Sequence, residues 1–113
     1  MFQKQASIES AAGPAVAIAV APNGGRRTKA DHPQLPLTPS DLARAAAACR
    51  DAGAAMIHIH VRDAQGEHLL DADAYRAATA AIRATVGDGL VIQITSEALG
   101  KYSAEEQRAV VEA

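Results

Sequence analysis

Three short runs rich in β-branched residues, Ala15–Ala21, Met56–Val61 and Leu90–Thr95, are separated by stretches of helical character. That alternation constrains the fold more than any other feature, because strands that alternate with helices assemble into a parallel sheet of the α/β class. The runs are centred near residues 18, 59 and 92, with steps of about 41 and 33 residues. A (β/α)8 barrel of about 250 residues averages about 31 per unit. An open, doubly wound sheet accommodates the same steps. Three parallel strands alone would leave bare edges, and 113 residues make one domain at most or a piece of one. The expectation is an N-terminal fragment of a larger α/β fold. Residues 1–14 form a lead-in, and residues 15–113 run strand, helix, strand, helix, strand and the start of a third helix.

The local signals agree with this order. Ala15–Ala21 is apolar throughout, as a strand covered on both faces would be, and it ends in the turn chemistry of Pro22-Asn23-Gly24-Gly25. Thr38 caps a first helix, with Pro39 at its first position and Asp41 in its first turn. The helix formers Leu42–Ala52 follow, and Gly53 supplies the stop. Asp71 caps a second helix whose apolar face is Tyr75, Ala78, Ile82 and Val86. Gly87-Asp88-Gly89 ends it. Ser103 and Glu106 form a capping box that opens a third helix at Ala104.

Composition removes several classes of function. Only 3% of residues are aromatic against 49% hydrophobic, so Ala, Val, Ile and Leu must fill the core. A net charge of −2 offers no general attraction to nucleic acid or an anionic membrane. No run approaches the roughly 20 apolar residues of a membrane helix. The single Cys49 cannot form an internal disulfide and fits a reducing, cytoplasmic compartment; its Ala-rich surroundings suggest a buried structural thiol.

The chemistry is concentrated in Ile57-His58-Ile59-His60-Val61-Arg62-Asp63. On a strand, His58 and His60 point the same way, roughly 7 Å apart along the backbone, and two imidazoles so placed can close on one metal ion. The competing reading is two polar residues on the wet face of an amphipathic strand. Their position at the end of a strand entered from a helix is where α/β folds place their chemistry.

Set in order, Ala21-Pro22-Asn23-Gly24-Gly25, Thr28-Lys29, Leu37-Thr38-Pro39, Ala52-Gly53-Ala54, the His58/His60 stretch, Ile92-Gln93-Ile94-Thr95 and Lys101-Tyr102-Ser103 resemble the β-keto acid cleavage enzymes. The resemblance implies a (β/α)8 TIM barrel, of which this chain holds the N-terminal three βα units. It also implies a divalent metal, usually Zn2+, with His58 and His60 as two of its ligands. The implied reaction takes a β-keto acid and acetyl-CoA to acetoacetate and a new acyl-CoA. The family's third metal ligand, a Glu, and its general base lie in the C-terminal half of the barrel. No catalytic residue is therefore expected within these 113 residues, which alone would be inactive. A homo-oligomer is expected for the full-length protein, with small-molecule partners and neither nucleic acid nor membrane.

The same resemblance assigns substrate contacts. Thr95 falls where the family carries a hydroxyl near the substrate carboxylate. Ala98 falls where a backbone amide approaches the substrate, although Ser96-Glu97-Ala98 replaces the usual glycine pair and leaves Glu97 an unexplained charge. Arg26 stands where the founding member has an acidic residue for its substrate's amino group. A guanidinium there favours an anionic or polar tail. His32 and His68, in polar loops, read as surface histidines. The rival readings are an amidohydrolase-like metal-dependent barrel, which places its His-x-His on the first strand, and a non-catalytic metal-binding fragment.

Overall fold

The computed structural model describes residues 13–113, so nearly all of the lead-in expected over residues 1–14 lies outside the described residues. The elements in chain order are β1 (Ala19–Val20), α1 (Pro39–Asp51), β2 (Met56–Ile59), β3 (Val61–Arg62), β4 (His68–Leu69), α2 (Ala72–Val86), β5 (Val91–Ile94) and α3 (Ala104–Glu112). Strands β1, β2 and β5 form one parallel sheet in the order β1-β2-β5, with β2 in the middle. The result is a mixed α/β fold with a parallel sheet. No helix among the described residues is long and apolar enough to cross a membrane.

Helix starts follow the sequence closely. The Thr38 hydroxyl accepts the Asp41 amide, and the Asp41 carboxylate accepts the Thr38 amide, so both halves of a capping box are made with Asp in place of Glu. Ser103 and Glu106 make the same two-way box at α3, whereas Asp71 caps α2 through its own side chain alone, accepting the Ala74 amide at 2.8 Å. At the other end of α1, Gly53 takes φ +103°, a backbone region that costs glycine least.

Helices α1 and α2 pack against each other and against one face of the sheet. Leu42 and Ala46 of α1, Ile57 and Ile59 of β2, and Tyr75, Ala78, Ile82 and Val86 of α2 are all buried. Each fully buried Leu or Ile contributes roughly 1.5–3 kcal/mol. The opposite face is open: Val91 and Gln93 are exposed and Met56 and His58 are half-buried.

Three expectations fail here. Only Ala19 and Val20 of the Ala15–Ala21 run join the ladder, and Val16 and Ile18 are 82% and 53% exposed. An apolar run says that a strand could be covered on both faces, but covering needs neighbours, and β1 is an edge of this sheet. Second, Arg62–Leu70, which the expected order leaves as a plain connection between the second strand and the second helix, carries structure of its own. Its ends pair as the antiparallel ribbon β3-β4, with Val61 opposite Leu69 and Arg62 opposite His68. Cys49 is half-buried rather than buried.

Candidate metal and substrate site

The site gathers at the C-terminal edge of the parallel sheet. Alternation on β2 turns Ile57 and Ile59 into the core and leaves His58 on the open face. His60 lies just past β2, where ladder bonds to β1 have run out. Asn23 takes their place. Its Oδ1 accepts the His60 amide at 3.2 Å, and its Nδ2 donates to the His60 carbonyl at 2.8 Å and the Pro36 carbonyl at 3.1 Å. The buried Asn23 thereby fixes the backbone of His60 and fastens the long β1–α1 loop to it.

Arg62 fastens the same loop from the other side. Its guanidinium donates to the carbonyls of Arg27 and Gly66 at 2.8 Å, of Gly24 at 2.7 Å and of Asn23 at 3.3 Å. Burial lowers its pKa below the ordinary arginine value, with Asp63 pulling the other way. Its charge is thus committed to backbone carbonyls.

The rings of His58 and His60 stand 5.2 Å apart, so the structure brings the pair together as the strand period requires. His68 corrects the expectation of a surface residue. It is only 3% exposed, and its ring lies 5.4 Å from that of His60. The β3-β4 ribbon folds it back over the site, and its Nε2 bonds the Glu97 carbonyl at 2.6 Å. His32 is exposed, as expected. Gly25 explains how two rings fit so close to a loop. A Cβ there would meet Leu99 Cδ1 at 2.8 Å, His60 Nδ1 at 3.2 Å and His68 Nδ1 at 3.4 Å.

Electrostatics keep His60 neutral. Burial first, and then the neighbouring His58, His68 and Arg62, bring its pKa down to about 4; Glu97 opposes them. The Glu97 carboxylate stands 3.7 Å from His60 Nδ1, too far for a hydrogen bond, and that nitrogen is buried and unpartnered. His58 Nδ1 bonds Gln93 Oε1 at 2.9 Å. A neutral imidazole beside a second imidazole oriented by Gln93 is a donor set that suits a zinc-like ion. Among the described residues, no three His, Cys, Asp or Glu side chains converge tightly enough to hold an ion by themselves.

Of the remaining expected residues, Thr95 is buried, and its Oγ1 accepts the Glu97 amide at 3.0 Å. Ala98 is half-buried. Its carbonyl accepts the Lys101 amide at 2.9 Å. Arg26 is exposed and lines a pocket of about 430 Å³ together with Arg62, Glu67, His68 and Lys101. Sequence reasoning passed over the clasp made by Asn23, the carbonyl binding of Arg62, the burial of His68 and the bond of Gln93. A polar strand position in register with His58 was the one signal that could have found Gln93.

A parallel α/β sheet with paired histidines at its C-terminal edge carries polar side chains where enzymes of α/β architecture place their active sites. Residues 15–113 match the model of the beta-keto acid cleavage enzymes, and the chain belongs to that family. It is 34% identical to a 3-keto-5-aminohexanoate cleavage enzyme of Fusobacterium nucleatum over 82 residues, which cover 73% of this chain and 30% of that protein. A protein of the same description from Acetoanaerobium sticklandii is 30% identical over 87 residues, covering 77% and 32%. A 3,5-dioxohexanoate:acetyl-CoA acetone transferase of Paraburkholderia graminis is 43% identical over 53 residues, covering 47% and 17%. The chain thus spans under a third of the length of these curated relatives. The family is one of enzymes, with cleavage and acetyl-CoA transferase members.

Proposed function

We propose that this chain supplies the metal-binding and substrate-orienting part of a zinc-dependent (β/α)8 barrel that cleaves a β-keto acid with acetyl-CoA, giving acetoacetate and a new acyl-CoA. The observation that carries this reading is the histidine pair, with rings 5.2 Å apart, His60 neutral and His58 oriented by Gln93. His58 and His60 would hold the ion. When bound, zinc polarises the keto and carboxylate oxygens as a Lewis acid. The chain's own residues bind and orient. Thr95 Oγ1 already accepts one hydrogen bond, which leaves its proton to donate to a substrate carboxylate. The Ala98 amide meets no acceptor among the described residues and is free for a substrate oxygen. Arg26 stands at the pocket beside His68, where it would pair with an anionic tail. The proton-moving base and the third metal ligand that the resemblance implies are not among these residues.

A chimera tests the reading. Residues 15–113 replace the matching segment of the Acetoanaerobium sticklandii relative, and acetyl-CoA-dependent acetoacetate formation is followed. We expect activity that disappears with His58→Ala or His60→Ala, together with the bound zinc. Arg26→Glu should lower kcat/KM on β-keto acids with anionic tails by more than about tenfold while sparing those with amino tails. A folded chimera that retains zinc and activity without either histidine would refute the assignment. An equal loss on every tail would remove Arg26 as the selector.

A further inference from the structure

Strand β5 and its exit loop put an acceptor beside each member of the histidine pair. Gln93 is the register neighbour of His58 in the parallel ladder, and its Oε1 lies 2.9 Å from His58 Nδ1. An amide oxygen only accepts, so this bond requires a proton on Nδ1 and leaves Nε2 with its lone pair free. Glu97 lies just past β5, with its carboxylate 3.7 Å from the buried, unpartnered Nδ1 of His60. A carboxylate too can only accept.

Glu97 is itself held at both ends of its backbone unit. Its amide donates to Thr95 Oγ1 at 3.0 Å, and its carbonyl meets His68 Nε2 at 2.6 Å. A carbonyl cannot donate, so His68 carries its proton on Nε2 and serves as the anchor of that loop. A short movement of the Glu97 side chain, which is 44% exposed and free to turn, would bring its oxygen within bonding distance of His60 Nδ1.

We propose that Gln93 and Glu97 are positioning residues that accept the Nδ1 protons of His58 and His60, so that both rings offer Nε2 to the metal. Burying an imidazole does not decide which nitrogen keeps the proton; the acceptor beside it does. A ring held this way meets the ion in one tautomer and one orientation, and loss of such an outer partner typically weakens a metal site tenfold to a hundredfold. The purpose of the arrangement rests on the metal reading above, whereas the arrangement itself does not.

The two are tested apart. In the metal-free, 15N-labelled chain at slightly alkaline pH, long-range proton–nitrogen correlations report the tautomer of each ring. We expect the Nδ1–H form for both in the wild type. Gln93→Leu should return His58 to a mixture dominated by Nε2–H, and Glu97→Ala should do the same for His60. Gln93→Glu, which can only accept, should preserve the His58 tautomer, and Gln93→Lys, which can only donate, should invert it. In a chelator-competition titration, Gln93→Leu should weaken zinc binding by about 10–100-fold and Gln93→Glu by much less. An Nε2–H tautomer in the wild type, or a Gln93→Leu variant that changes neither tautomer nor zinc affinity, overturns the assignment. A wild-type chain with the expected tautomers that binds no zinc upholds the positioning and overturns the metal reading instead.

Discussion

The two faces of β2 differ in almost every respect although they share four residues of backbone. On one side, Ile57 and Ile59 are fully buried in the hydrophobic core with residues of α1 and α2 such as Leu42, Ala46 and Tyr75. On the other, His58 is half-buried beside Gln93, and the buried His60 that follows has a ring nitrogen without a partner. The first face packs by apolar contact, with the Tyr75 hydroxyl as its one buried side-chain group lacking a hydrogen-bond partner among the described residues. The second is held in shape by polar groups that come from elsewhere: Asn23 and Arg62 in backbone clasps, Gln93 at the ring of His58. Stability and chemistry can occupy one strand because side chains alternate, so neither face needs to compromise for the other.

The largest break in that contrast comes from the dry face. Ile57→Ala removes buried methyl groups from a site that α1 and α2 cannot collapse into, and should cost about 2–5 kcal/mol in a urea titration. His58→Ala, one residue on, should cost under about 1 kcal/mol, since it removes a partly exposed ring and a single hydrogen bond. Equal costs would mean that the two faces are not separable.

Next is the clasp. Asn23→Ala strips the hydrogen-bond partner from the His60 amide and from the carbonyls of His60 and Pro36, and should destabilise the chain by about 2–3 kcal/mol. Amide exchange at His60 should quicken more than at Ile57 or Ile59, because only the former depends on Asn23. A uniform change would make the clasp part of the core rather than of the site.

Gly25→Ala should cost less, about 1–2 kcal/mol, since Leu99 can swing away from the new methyl group. Its signature should be local. The NMR signals of His60 and His68 should move, and those of Tyr75 and Ile82 on the dry side should not.

The smallest effect lies far from both faces. Asp41 is partly desolvated, which raises its pKa, but the Leu37 and Thr38 amides, the Thr38 hydroxyl and Lys29 outweigh this and hold it at about 2, below the ordinary 3.8. A depressed carboxylate stabilises the fold fully above the unfolded value and loses that contribution as pH falls from about 4 toward 2. Asp41→Asn should therefore flatten the acid limb of the stability curve by about 1 kcal/mol. An unchanged slope below pH 4 would remove the capping carboxylate from the account.

The contrast between the faces also explains what the sequence could show. Thr38, Asp71 and Ser103 announced their helices because capping is settled within three or four residues, and Tyr75, Ala78, Ile82 and Val86 announced their face by period alone. His58 and His60 were legible as neighbours for the same reason. The extent of β1 was not, because an apolar run cannot reveal how many neighbours a strand will find. His68 was misread because two-residue ladders are too short to show a period, and the fold, not the local sequence, buries it. Asn23 acts across 37 residues on His60, a distance over which side-chain-to-backbone bonds leave no local trace. Glu97 drew notice only as a charge where glycine was expected.

The central claim is that His58 on β2 and His60 just past its end form a two-imidazole metal site. Zinc K-edge absorption spectroscopy on the zinc-loaded chain tests it most directly. The account predicts two imidazole nitrogens at about 2.0–2.1 Å, with the rest of the shell filled by oxygen, and loss of the imidazole signature in the His58→Ala/His60→Ala double variant. Zinc bound without imidazole, or an identical spectrum from the double variant, would contradict it.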